Sequence, residues 1–269
     1  MIDLRCHLFD GAPVRAAADF TEPLEMCRQA AREGVQTIVA VERWETAHDE
    51  PTLSFEASRQ RLEQLQSEVG DALRLKQGFV FRFQPELDSV IERYGSNVTL
   101  GGGKHVLISL PAVRTPAGAE ELWERLKQRG FNVVLAGPEC SHDLRRKSGR
   151  LEDWLACGVK LQLNAASITG AYGREAQRFA LHCAREYRGR VVVASHARAG
   201  GERAPSLASA REALRRQLGR KAVEALFQET PAAILEPARD EEREERGTSG
   251  SPRLLQQIFR LRKAATDAP

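Results

Sequence analysis

From Ile2 to about residue 237, short apolar runs alternate with amphipathic stretches of helical period, and this alternation constrains the fold more than any other feature. The runs are Ile2–Cys6, Thr37–Val41, the segment around Leu73–Phe83, His105–Leu110, Asn132–Ala136, Val159–Leu163 and Val191–Ala194. They are short, rich in β-branched residues and apolar throughout, the pattern of strands covered on both faces. Between them lie helical segments at about 52–69, 85–93, 117–129, 150–157 and 174–187, with two more at about 206–218 and 221–227. The first helix is expected to start at Thr21 as N-cap and to end near Gly34. In the second, Phe55, Leu62, Leu65 and Val69 share one face. Strands alternating with helices specify α/β architecture with a mainly parallel sheet. Seven such units without a break predict a distorted, TIM-like (β/α)7 barrel forming one domain over 1–237.

Beyond residue 237 the character changes. Residues 238–252 carry the charge run Arg239–Arg246 and then Gly-Thr-Ser-Gly-Ser-Pro, which reads as a flexible, solvated linker. Residues 253–269 read as a short basic amphipathic helix and tail: Leu254, Leu255, Ile258, Phe259 and Leu261 lie among Arg253, Arg260, Arg262 and Lys263. Such a helix docks on its own domain or a neighbouring subunit, or meets a partner or an anionic membrane surface. Lys and Arg number 40 against 37 Asp and Glu, a net charge of +3, which is no footprint of a nucleic-acid binder. No segment is apolar enough for a membrane span, and the first residues lack a signal-peptide pattern. Five scattered cysteines without a CxxC pair point to reduced thiols and a cytoplasmic location.

Strand ends on the C-terminal face of such a barrel carry ligands and catalytic groups. The first strand ends in Asp3-Leu-Arg-Cys-His-Leu8, followed by Asp10-Gly11. This opening resembles that of the PHP (polymerase and histidinol phosphatase) superfamily, in particular its bacterial manganese-dependent protein-tyrosine phosphatases of capsule and exopolysaccharide synthesis. The likeness continues through Leu24–Ala40, Gly78, Arg82, Pro85–Leu87, Leu107-Ile108, Leu110-Pro111, Pro138-Glu139, Asn164–Ser167, Arg203, Pro205–Leu207 and Pro231–Leu235, in order and spacing. It implies a barrel whose mouth holds three divalent ions on His, Asp and Glu ligands, which activate a hydroxide for attack on phosphorus. Position by position, that set is nearly absent. The family's His-x-His reads Arg5-Cys6-His7, and its Pro-His-His reads Glu42-Arg43-Trp44. Two of its Glu ligands align with Val80 and Ser109. Its His-Pro-Glu-Arg reads Gly137-Pro-Glu-Cys140, and its Ser-Asp-Ala-His reads Ser195-His-Ala-Arg198.

Guanidinium cannot donate a lone pair, and Val80 and Gly137 have no donor atom. The expectation is therefore no metal cofactor, where the family uses manganese or similar ions. His7 remains as the residual ligand, with Asp10, Glu42 and His196 as alternatives for a single ion. Arg5, Arg82, Arg198 and Arg203 form the expected anion-binding set. The functional expectation is a non-catalytic relative of the phosphatase that binds an anionic or phosphorylated partner, such as a phosphotyrosine protein. Two alternatives stand beside it. One is an active phosphatase with a rebuilt mononuclear or metal-free site, for which His7, His196 and Cys140 are the catalytic candidates, Cys140 because nearby arginines would lower its thiol pKa. The other is an assembly scaffold acting through the C-terminal helix, and a homo-oligomer stays open. Cys6 and His7 are adjacent on a strand and should face opposite sides, which excludes a dyad. Gly101-Gly-Gly-Lys104 precedes a strand, not a helix, and reads as a turn rather than a phosphate loop.

Overall fold

The computed structural model describes residues 1–10, 20–44, 55–146, 148–200 and 206–237, all within the compact unit Met1–Pro237. The linker expected at 238–252 and the helix expected at 253–269 lie outside the described residues. The strands are β1 (Ile2–His7), β2 (Thr37–Trp44), β3 (Arg74–Arg82), β4 (His105–Ser109), β5 (Asn132–Ala136), β6 (Lys160–Asn164), β7 (Val191–Ala194) and β8 (Ala197–Arg198). The helices are α1 (Thr21–Arg32), α2 (Phe55–Val69), α3 (Leu87–Tyr94), α4 (Ala119–Gln128), α5 (His142–Arg146), α6 (Ser148–Ala156), α7 (Ala165–Thr169), α8 (Arg174–Glu186), α9 (Ala208–Leu218), α10 (Arg220–Glu224) and α11 (Thr230–Ile234). Thr21 is the first residue of α1, with Phe20 in the cap position expected for Thr21 itself. The short helices α5, α7 and α11 have too few turns to leave a periodic signal in sequence.

All strand pairs are parallel, in the order β7-β6-β5-β4-β3-β2-β1-β8. The (β/α)7 count is corrected to eight strands, and the reason is local. The seventh strand changes partner midway: β7 pairs with β6, and β8 pairs with β1. Between them Ser195 Oγ accepts the Ala197 amide at 3.0 Å and His196 takes a left-handed φ of 52°. The two edges of the curled sheet are therefore one continuous run of chain. The seam is fastened by the His196 amide on the Arg5 carbonyl (2.9 Å) and the Ala199 amide on the His7 carbonyl (3.0 Å). Beneath it the buried Asp3 carboxylate accepts the amides of Ser195 (3.0 Å) and Arg5 (3.2 Å).

Strand alternation divides the apolar residues into two cores. Leu4, Val39, Val80, Leu107, Val134 and Val192 belong to the inner cluster. Ile38, Phe79, Ile108, Leu135, Leu161 and Val193 belong to the outer one, packed under the helices. Each such side chain contributes roughly 1.5–3 kcal/mol on burial. Ile234 and Leu235 join the inner cluster from the C-terminal segment. The Ile234 carbonyl accepts from His105 Nδ1 at 3.1 Å, at the first residue of β4. Gly103 pairs with Pro237, and a Cβ at Gly103 would stand 2.8 Å from the Glu236 carbonyl oxygen and 3.1 Å from that of Ile234. Gly103→Ala is therefore expected to push this segment off the sheet and cost about 1–3 kcal/mol. A thermal melt that coincides with the unsubstituted protein's would refute that seating.

Candidate functional site

One extra residue in β1 sets the site. Asp3 pairs with Ile38 and Cys6 with Ala40, so Leu4 and Arg5 together stand opposite Val39. This is a β-bulge, a device that re-aims side chains beside functional sites. In a regular strand Arg5 would pair with Ala40 and face the outer helices. Here it faces the mouth, Cys6 joins the outer core, and His7 lies buried beside Asp10 and the His196 ring. The expected separation of Cys6 from His7 holds.

The Arg5 guanidinium donates to Gln162 Oε1 at 3.3 Å, Gln162 Nε2 to Asn164 Oδ1 at 3.2 Å, and Asn164 Nδ2 reaches Cys140 Sγ at 3.5 Å. This ladder runs along β6 in space that Gly137 leaves open. A Cβ on Gly137, whose φ is 60°, would lie 3.0 Å from Asn164 Nδ2 and 3.9 Å from a terminal nitrogen of Arg5. Glu139, completely buried, holds the same strand end by accepting the Asn164 amide at 2.8 Å and the Ser167 hydroxyl at 2.9 Å.

Above the ladder opens a bowl of about 400 Å³ whose polar lining includes Arg5, Arg43, Arg82, Ser109, His196 and Arg198. A narrower slot of about 150 Å³ continues from Arg5 and His196 past Leu135, Gly137, Cys140 and Leu144. Three expected anion ligands, Arg5, Arg82 and Arg198, thus share one cavity; Arg203 lies outside the described residues. Arg43 is the member that sequence reasoning missed. Its signal was its spacing, since it continues the inward-facing series Val39, Val41 to the strand end. Arg82 has no acidic partner among the described residues. Asp10 Oδ2 is shared by Arg43 (2.6 Å) and Arg198 (3.2 Å), and stands 3.6 Å from His7 Nδ1.

His7 is buried, and neither ring nitrogen has a hydrogen-bond partner among the described residues. Burial, then the charge of Arg5, lowers its pKa to about 4, so the ring is neutral near pH 7. The His196 ring lies 5.5 Å away, centroid to centroid. Glu42 does not join them. It lies on the opposite face of β2 and accepts from the Ser58 hydroxyl of α2 at 3.1 Å, turned away from the bowl. The low thiol pKa expected for Cys140 is also corrected: desolvation by the protein around its sulfur, then the neighbouring Glu139, raises it to about 11. The arrangement gathers cationic side chains at one cavity, and its thiol is not activated.

A family model described as capsular polysaccharide synthesis, CpsB/CapC, matches residues 1–236. The chain is similar to tyrosine-protein phosphatase YwqE of Bacillus subtilis (strain 168), 28% identical over 183 residues, or 67% of this chain and 71% of that one. It also superposes on a solved structure from a study of YwqE from Bacillus subtilis and CpsB from Streptococcus pneumoniae, described as unique metal-dependent tyrosine phosphatases. The TM-score is 0.74 and the identity 25%, covering 87% of this chain and 94% of the other. A D71G/E101G mutant of an organophosphorus hydrolase from Deinococcus radiodurans matches with TM-score 0.55 and 13% identity over 87% of this chain and 92% of its own, a likeness of fold alone. The phosphatase resemblance read from the sequence is therefore met.

The expectation of no cofactor is overturned by the same finding, because the relatives are described as metal-dependent and kinship implies a metal. The side chains at the mouth fit such an ion unevenly. His7, buried with unbonded nitrogens, has the character of a ligand. Asp10 is held by two guanidinium groups, Arg5 and Arg198 are cationic, and Val80 and Gly137 have no donor atoms. Among the described residues no three His, Cys, Asp or Glu converge as a cage. As a set they do not fit the relatives' kind of centre.

Proposed function

The chain belongs to the CpsB/CapC family, and from that premise we propose that it binds a phosphorylated protein partner of the phosphotyrosine class and releases phosphate from it slowly or not at all. One observation carries the reading: strand ends of β1, β2, β3 and β8 turn Arg5, Arg43, Arg82 and Arg198 into a single bowl. Guanidinium forks match phosphate oxygens two at a time, and each charge-assisted bond is worth about 1.5–3 kcal/mol. The bowl's volume lies within the usual range for small-ligand sites. Arg203, which follows the same strand end in sequence, belongs to the proposed set. Weak turnover follows from the lining itself. Arg5 and Arg198 replace lone-pair donors with fixed charge, and the Cys140 thiol stays protonated at neutral pH. Five cysteines outside any disulfide, three of them buried, support a cytoplasmic setting, and no helix among the described residues is long and apolar enough to cross a membrane.

A second reading has its own observation. His7, whose nitrogens have no hydrogen-bond partner among the described residues, the His196 ring beside it and Asp10 at 3.6 Å supply the parts of a rebuilt catalytic site.

The test uses the full chain and a phosphotyrosine peptide, with binding followed by calorimetry and phosphate release measured with and without manganese. Expected are binding that Arg82→Ala weakens about tenfold or more, and release at background in both conditions. Manganese-dependent turnover abolished by His7→Ala would establish the second reading instead. Absence of binding, or binding indifferent to Arg82→Ala, would remove the anion site.

A further inference from the structure

Asp10 does something unusual for a carboxylate beside a cationic cavity: it bridges two of the arginines that line it. Its Oδ2 sits 2.6 Å from the Arg43 guanidinium and 3.2 Å from that of Arg198, and both arginines line the bowl. The carboxylate is mostly covered, at 17% exposed, whereas its two partners are 41% and 43% exposed. A negative oxygen between two forks is what an incoming phosphate oxygen would be. Asp10 therefore holds, between Arg43 and Arg198, the place of a phosphate oxygen, separated from the end of β1 by two residues of chain.

We propose that Asp10 is a built-in competitor for the anion site, holding Arg43 and Arg198 together until a phosphate group takes them from it. This rests on the anion-binding reading above and adds the residue that sets its affinity and keeps the bowl closed to weak anions such as chloride. The physics follows from the geometry. Without ligand, two adjacent guanidinium groups repel, and the shared carboxylate keeps them in register. A monoanion gains too little to displace an acid already in place. A phosphate dianion carries more charge and more acceptor oxygens, so it exchanges favourably. Arg82, with no acidic partner among the described residues, offers the incoming group its first contact. Neutral His7, 3.6 Å from Asp10, adds no charge to either state near pH 7.

Inorganic phosphate and chloride serve as probes, titrated calorimetrically into the full chain and its variants. Asp10→Asn removes the competing charge and keeps the side chain's size. It is expected to tighten phosphate binding about tenfold or more and to let chloride compete visibly. Arg43→Gln should weaken phosphate binding more in the Asp10→Asn background than in the unsubstituted protein, because only there does Arg43 meet phosphate without first giving up an ion pair. If the unsubstituted protein binds phosphate, Arg82→Ala weakens it and Asp10→Asn leaves it unchanged or weaker, the competitor role is wrong and the anion site stands. If neither the unsubstituted protein nor Asp10→Asn binds phosphate, both fail. A crystal grown with phosphate gives an answer that does not depend on a variant folding. The proposal requires the anion between Arg43 and Arg198 with Asp10 turned out, and an intact Asp10–Arg43 pair beside bound phosphate overturns it.

Discussion

Asp3→Ala is expected to lower stability by about 3–4 kcal/mol, or roughly 10 °C in melting temperature. The carboxylate is 1% exposed and accepts two amides, from Ser195 across the seam and from Arg5 in the bulge. Alanine leaves both buried donors without an acceptor where the sheet's edges meet. Asp3→Asn keeps an oxygen for both amides and should cost far less. The two variants also separate on pH. Burial raises Asp3 from 3.8 to about 6, with its hydrogen bonds and the charge of Arg5 acting in the opposite direction. The folded protein therefore holds this proton to higher pH than the unfolded chain. The resulting stabilisation is complete below about pH 4 and is lost as pH rises through about 6, a change of roughly 3 kcal/mol. Denaturant melts between pH 4 and 7 should show that component in the unsubstituted protein and not in Asp3→Asn. Equal slopes in the two would mean Asp3 does not titrate in this window.

The second large effect is expected from Gly137→His, which restores the residue type that the phosphatase pattern has there. The position has a left-handed φ of 60°, where a side chain costs about 1 kcal/mol or more. The Cβ alone would stand 3.0 Å from Asn164 Nδ2, and an imidazole reaches into the volume of the Arg5 guanidinium. The ladder Arg5–Gln162–Asn164 must then break. Stability should fall by about 2–4 kcal/mol, and phosphate affinity about tenfold, because Arg5 no longer lies beneath the bowl. Gly137→Ala, which meets only Asn164, should lose less of both. Wild-type melting and wild-type phosphate binding in Gly137→His would show that Arg5 does not depend on the space beside it.

Much of this architecture was legible in the sequence because strands covered on both faces write themselves as unbroken apolar runs. Thr37–Val41, Asn132–Ala136 and Val191–Ala194 all lie in strands, and their parallel arrangement followed from the helices between them. The eighth strand was not legible. Ala197-Arg198 has two residues and no period, and its partner is chosen by a backbone reversal at His196 that L-residues seldom adopt. The bulge in β1 was equally silent, since no glycine marks it and only the register against β2 reveals it. Motif comparison found Arg5, Arg82 and Arg198 for the bowl but treated Arg43 only as a lost histidine, because a motif records identity and not direction. It also grouped Glu42 with His7, although the two-residue period of β2 sends that carboxylate to α2. The arginines near Cys140 suggested an acidified thiol, and desolvation of its sulfur together with the Glu139 charge outweighed them.

Because one run of chain serves both ends of the sheet, tertiary closure and assembly of the cationic cavity are a single event. Arg198 comes beside Asp10 only when Ala197 and Arg198 have zipped onto Cys6 and His7. A partially folded molecule with an open seam thus has no complete cationic cavity, and the phosphate binding proposed for it would double as a reporter of the finished fold.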